Sequence, residues 1–216
     1  MEFAIYQTMH EFIKFRPEYV EEYVEFIKKY PSFKENRYIQ EKIATHEFDD
    51  LFEKKIVPKK IHYVWFGGEK PAEVLAYIET WKKYAPDYEI IEWNETNCDV
   101  NINNYVKEAY EAKKWAFVAD YFRLKVLYEQ GGIYLDTDME LKKNIDILRV
   151  HELSFPRQPN SICAGFIAAC PQNKYIKEIL DGYEEDHFLL EDGSYNFKII
   201  VERITSVLEK YYSISY

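Results

Sequence analysis

Apolar residues recur at two spacings along this chain, and the change of spacing divides it. Through residues 1–56 only helical intervals occur: Tyr19, Val20, Tyr23, Val24, Ile27 and Tyr30 form a stripe between Pro17 and Pro31. Shorter patterns follow through Phe33, Tyr38, Ile39 and Ile43, then Phe48, Leu51 and Phe52. From residue 57 apolar β-type runs alternate with helical stripes. Residues 61–66 (IHYVWF) end in Gly67-Gly68 and predict a first strand; Val74, Leu75, Ile78 and Trp81 predict a helix opening at Pro71; residues 88–93 predict a second strand. An asparagine-rich loop over 94–104 leads to a helix through Tyr105, Ala109 and Ala112, then to a second whose Phe117, Tyr121, Leu124 and Tyr128 share a face. Gly131-Gly132 breaks that helix, with Gly131 in the left-handed closing position, and 133–135 is a short apolar strand. Beyond a connecting segment at 141–148, residues 161–169 read as a buried strand and 173–183 and 197–211 as amphipathic helices. Strands separated by helices predict an α/β domain over 57–216 with a mainly parallel sheet and ligands at the strands' carboxyl ends. Residues 1–56 form a helical extension packed on it, with peripheral membrane contact as the alternative.

Chemistry gathers after the second Gly. If the strand stays extended, Asp136 and Asp138 point to one side and Thr137 to the other, a two-carboxylate site for a hard cation such as Mn²⁺ or Mg²⁺. Asp120 and Arg123, three residues apart on the preceding helix, can meet one polar ligand together. Trp65, followed by glycines that admit close approach, is a candidate stacking surface, with Gly67 beside it; His62 is a structural strand residue.

Composition narrows the partners. With 38 acidic and 28 basic residues, a net charge of −10 argues against nucleic acid as a partner, and a divalent cation would supply the positive charge that an anionic diphosphate needs. Three cysteines without metal-type spacing read as free thiols in a reducing compartment. Neither a signal-peptide pattern nor a long apolar run is present, so the expected location is the cytoplasm, without a transmembrane segment.

The text from Ala116 to Leu124 (AFVADYFRL), with Leu127-Tyr128 and Gly131 to Asp138 (GGIYLDTD), resembles the DxD sugar-binding region of glycosyltransferase family 32, which is related to the glucosylating domain of large clostridial toxins. The resemblance implies a GT-A-like, single Rossmann-type domain. It further implies a metal-dependent, retaining transferase that moves a hexose-type sugar from a nucleotide-sugar donor, most simply a UDP-sugar, to a glycan or other hydroxyl acceptor in surface polysaccharide synthesis. On that resemblance Asp138 ligates the metal, Asp136 contacts metal shell and ribose, Asp120 and Arg123 hold sugar hydroxyls, and Tyr134 and Trp65 flank the nucleotide. All are expected in one cleft. Family members often carry a His- and Trp-containing segment beyond the point where this chain ends, so a sugar-nucleotide-binding module without turnover is the alternative. The strand-DxD pattern is also similar to that of haloacid-dehalogenase-like phosphatases. That motif prefers Thr or Val where Glu140 stands, and it sits on a first strand, whereas two predicted strands precede this one.

Overall fold

The computed structural model describes residues 57–149, 152–158 and 161–211. The helices expected within 1–56 lie outside the described residues. Strands β1 (Lys60–Val64), β2 (Glu89–Trp93) and β3 (Gly132–Leu135) form where the alternation predicts them, and helix α1 (Ala72–Tyr84) joins the first two. Helices α2 (Asn104–Glu111) and α3 (Trp115–Gln130) lead from β2 to β3. After a 3₁₀ turn at Asp146–Arg149 come the short strands β4 (Leu153–Ser154), β5 (Arg157–Gln158) and β6 (Ser161–Ile162), then β7 (Phe166–Ala169), α4 (Lys174–Glu184) and α5 (Ile200–Leu208). The expected strand at 161–169 is thus split by a turn at 163–165. The helix expected from residue 197 starts only at Ile200, leaving Phe197 and Ile199 exposed ahead of it.

The main sheet has the order β2-β1-β3-β7-β4. β2 and β3 lie parallel to β1, and β7 is antiparallel to both β3 and β4, so four of the five strands run one way. Alternating side chains build two cores. Ile61, Tyr63, Ile133, Leu135, Phe166 and Ala168 pack under α1 on Ile78 and Trp81. Val64, Phe66, Tyr134, Ile167 and Ala169 face α2–α5, meeting residues such as Val106, Leu124, Ile179 and Ile204. α1 buries less than its stripe promised: Ile78 and Trp81 are buried and Val74 packs partly against the same core, but Leu75 stays 48% exposed. Asparagine caps start two helices; Asn103 accepts the N–H of Val106 at 2.9 Å, and Asn173 accepts that of Tyr175 at 3.0 Å. Among the described residues, no helix is long and apolar enough to cross a membrane.

Candidate functional site

α3 and β3 bring the site together across two glycines. Gly131 has φ 62° and ψ −174°, an extended mirror-image conformation open essentially to glycine alone and distinct from the left-handed helical one expected. A Cβ there would lie 2.7 Å from the backbone nitrogen of Pro171, so the chain leaves α3 at this angle only without a side chain. β3 therefore starts immediately, and Tyr134 and Asp136 come to lie against α3.

Arg123 is the hub. Its Nη2 lies 2.8 Å from Asp120 Oδ1 and 3.3 Å from Asp136 Oδ1, its Nη1 donates to the carbonyl of Ala164 at 2.8 Å, and its guanidinium stacks 4.7 Å above the Tyr134 ring. Tyr134 donates its hydroxyl to Asp136 Oδ1 at 2.8 Å. Asp120, Arg123 and Tyr134 are buried and Asp136 is half-buried, so these four form one interlocked group. Burial pushes the Asp120 carboxyl up to about 6, with Asp136 adding to the rise and Arg123 opposing it. Burial presses on the Arg123 guanidinium too, but Tyr134, Asp120 and Asp136 outweigh it and hold the cation above its ordinary value.

The acids do not share a strand face. β3 ends at Leu135, and the chain turns, with Met139 N–H donating to the Asp136 carbonyl at 3.0 Å. Asp136 looks inward and Asp138 is exposed on the turn. The donor set nevertheless fits a hard cation with open positions: Asp138 offers an exposed carboxylate two residues from Asp136, whose Oδ1 alone takes the Tyr134 and Arg123 contacts. Mg²⁺-type sites need one or two such carboxylates, with phosphate and water completing the shell. Among the described residues, no group of three or more acidic, histidine or cysteine side chains forms a closed metal cage.

Trp65 lies at the same carboxyl edge of the sheet, since the pairing of Ile61 with Ile133 and His62 with Tyr134 carries Val64 level with Asp136. Its ring packs with the α1-side core, opposite the face that holds Tyr134, and donates to the Gly68 carbonyl at 2.9 Å. No described contact joins it to the Arg123 group. Gly67, at φ 89°, donates its N–H to Glu95 at 2.9 Å, and a Cβ there would sit 2.6 Å from Trp115 Nε1, so the loop after β1 rests directly on the start of α3.

His62 is structural, as expected. Trp93 donates to its Nδ1 at 3.0 Å, which leaves Nε2 to carry the proton that reaches the Gly131 carbonyl at 2.8 Å. Burial presses its pKa down to about 4, with the Lys60 charge adding to the fall and the hydrogen bond to the Gly131 carbonyl opposing it.

Sequence reasoning missed several participants. The turn at 163–165 supplies two carbonyls, Ala164 to Arg123 and Gly165 to the Asp136 N–H at 2.8 Å. Behind Asp120, the first N–H of α5, from Ile200, bonds its carboxylate, and Arg203 lies 4.1 Å above the Tyr183 ring with Nη1 on Asp186 at 2.6 Å. The signal was positional: Arg203 falls among Ile200, Ile204 and Val207 on the apolar face of α5.

A strand-end DxD turn clamped to an Asp/Arg pair at the carboxyl edge of a mainly parallel sheet defines a class, and comparison with known proteins agrees with it. Residues 71–155 match the family described as glycosyltransferase sugar-binding region containing DXD motif, and Asp120, Arg123, Tyr134, Asp136 and Asp138 lie inside the matched residues. Among curated relatives it is similar to subversion of eukaryotic traffic protein A of Legionella pneumophila, 23% identical across 61% of this chain and 26% of the relative. It is also similar to the initiation-specific alpha-1,6-mannosyltransferase of Candida albicans, 34% identical across 44% of this chain and 27% of the relative. Inositol phosphoceramide mannosyltransferase 2 of Schizosaccharomyces pombe is 26% identical across 67% of this chain and 43% of the relative. The chain thus spans less than half the length of each of these relatives. The solved PaToxG glycosyltransferase shares the fold, with a TM-score of 0.53 and 18% identity over 71% of this chain and 68% of that one.

Proposed function

We propose that this chain moves a hexose-type sugar from a nucleotide-diphosphate donor, in our reading a UDP-sugar, to a hydroxyl acceptor in glycan synthesis, with Mn²⁺ or Mg²⁺ held by Asp138 and Asp136. The observation that carries it is the bridging of Asp120 and Asp136 by one buried Arg123 beside the exposed Asp138. A divalent ion so held would act as a Lewis acid on the diphosphate leaving group. Tyr134 and Arg123 fix Asp136 Oδ1, so the aspartate enters the reaction already oriented. Asp120 presents acceptor oxygens and Arg123 its unpaired Nε–H toward sugar hydroxyls, and burial strengthens both contacts. The bond from the anomeric carbon to the phosphate oxygen breaks as the acceptor oxygen bonds that carbon, and the acceptor's proton passes to the departing diphosphate. In this reading the acceptor attacks from the face the diphosphate leaves, which retains configuration. In this reading the protein works in the cytoplasm. The mannosyltransferase names among the relatives favour transfer over phosphate-ester hydrolysis.

Asp138→Ala tests the reading. Because Asp138 is exposed, the variant should keep its thermal transition while metal-dependent donor hydrolysis and transfer fall by about a hundredfold or more. Undiminished turnover rejects the assignment. Calorimetry with UDP-sugars and Mn²⁺ separates the alternative, since donor binding without transfer would leave a binding module.

A further inference from the structure

Asp136 and Asp138 are held in different ways. Asp136 is fixed through its own side chain, by Tyr134 and Arg123, and through its N–H, which donates to the Gly165 carbonyl at 2.8 Å. Asp138 is exposed, so its carboxylate takes its position from the backbone of the turn that carries it. That backbone is fastened to α1. Trp81 donates its indole N–H to the Met139 carbonyl at 2.7 Å, and the Leu141 N–H donates to Thr80 Oγ1 at 3.0 Å. The two bonds bracket the exposed Glu140 and begin one residue past Asp138.

Both holding groups are themselves fixed. Trp81 is fully buried and meets the Tyr63 ring edge-on at 5.6 Å, so the direction of its single N–H is set by packing. The Thr80 hydroxyl gives its hydrogen to the Tyr77 carbonyl at 2.6 Å, the usual local bond of a helical threonine, which leaves its oxygen to accept from Leu141. Adjacent helical residues project about 100° apart, so the pair grips one short segment from two directions. A single bond would let the turn pivot; two that are not parallel stop it. Apolar side chains at 80 and 81 could fill the same core without touching the turn. We infer that Thr80 and Trp81 are positioning residues: through the Met139 carbonyl and the Leu141 N–H they hold the Asp138 carboxylate in place for the divalent cation proposed at Asp136 and Asp138. The inference rests on that proposed cation and adds to it the helix on the opposite face of the sheet from Arg123.

The test is Mn²⁺ binding without turnover, read from the free-ion signal in electron paramagnetic resonance titrations of the full chain at fixed UDP. Thr80→Val keeps the shape of the side chain and removes the acceptor, and it should bind Mn²⁺ about tenfold more weakly, as should Trp81→Phe. Thr80→Ser keeps the acceptor and should bind as the parent does. Ile78→Val thins the same core without bonding the turn, so it should lower the urea midpoint and leave Mn²⁺ affinity unchanged. Parent-like affinity in folded Thr80→Val and Trp81→Phe, with the ion lost in Asp138→Ala, overturns this inference and leaves the proposed cation site standing. Equal weakening by Ile78→Val also overturns it, since the effect would then be one of stability alone. A parent that holds no Mn²⁺, or an Asp138→Ala variant that holds it equally well, rejects the cation site and this inference with it. Should Trp81→Phe fail to fold, Thr80→Val decides.

Discussion

The two faces of the sheet treat their polar atoms differently. Under α1, Trp81 donates to the Met139 carbonyl at 2.7 Å, Tyr88 to Asp146 at 2.8 Å and Tyr63 to Glu92 at 2.6 Å, each beside an apolar core. Under α3–α5, by contrast, Arg123 Nε, the Tyr183 hydroxyl and Nε and Nη2 of Arg203 are buried without a hydrogen-bond partner. Buried polar groups are nearly always paired, and exceptions gather where a ligand or water completes them. The first face was shaped for stability. The second keeps donors in reserve around Asp120, and that asymmetry points to the site independently of the DxD text.

Removing the hub should break the comparison most severely. Arg123→Met leaves the Asp120 and Asp136 carboxylates without their common cation in a buried setting, which costs about 3–5 kcal/mol. Arg123→Lys should recover little, because one ammonium cannot span two carboxylates and the Ala164 carbonyl while stacking on Tyr134. Urea titration measures both. A loss under 1 kcal/mol for the Met variant would show the network to be unimportant to the fold.

His62 sharpens the contrast, being buried on the same side yet paired at both ring nitrogens. Its folded pKa, about 4, lies below the unfolded value of 6.5, so the stability it contributes is present above pH 6.5 and is lost as pH falls toward 4, about 3 kcal/mol in all. Asp120 has the opposite sign. Its carboxyl is raised from 3.8 to about 6, so its contribution is full below 3.8 and is lost as pH rises through 6, again about 3 kcal/mol. Between pH 4 and 6 the two oppose each other, and their summed contribution to the parent's stability should be nearly flat. Asp120→Asn removes one slope and should make stability climb with pH across that window, whereas His62→Gln should make it fall. Parallel profiles for the two variants would contradict the assignment.

How much of this could be read from the chain alone follows from range. The strands β1 to β3, the helices between them and the Asp120/Arg123 spacing depend on neighbours a few residues apart, and the alternation found them. The inward aim of Asp136 depends on the turn closed by Met139, and the Arg123 contact with Ala164 joins residues 41 apart, so neither periodicity nor propensity could place them. Leu75 and Arg203 differ in kind: a helical stripe shows which residues lie on one side but not how far that side is covered, so Leu75 stays exposed, whereas Arg203 follows the apolar face of its helix into the core.

The smallest change tests whether the site face is tuned at its edge. Gly165 has no positive φ, so alanine there carries no backbone strain, but its Cβ would meet Met139 Cε at 2.5 Å and Asp136 Oδ2 at 2.8 Å. Met139 is flexible and can yield. Asp136 cannot follow as easily, because Tyr134 and Arg123 hold its other oxygen and the Gly165 carbonyl holds its backbone N–H. Gly165→Ala should therefore cost only about 1 kcal/mol of stability. It should weaken Mn²⁺-supported donor binding by about tenfold, since an oriented ligand oxygen is displaced by a fraction of an ångström. Calorimetry at fixed donor with titrated Mn²⁺ reads the second effect, urea the first. Stability lost with metal affinity intact would mean that Asp136 Oδ2 takes no part in holding the ion, and that Asp138 ligates it without its neighbour.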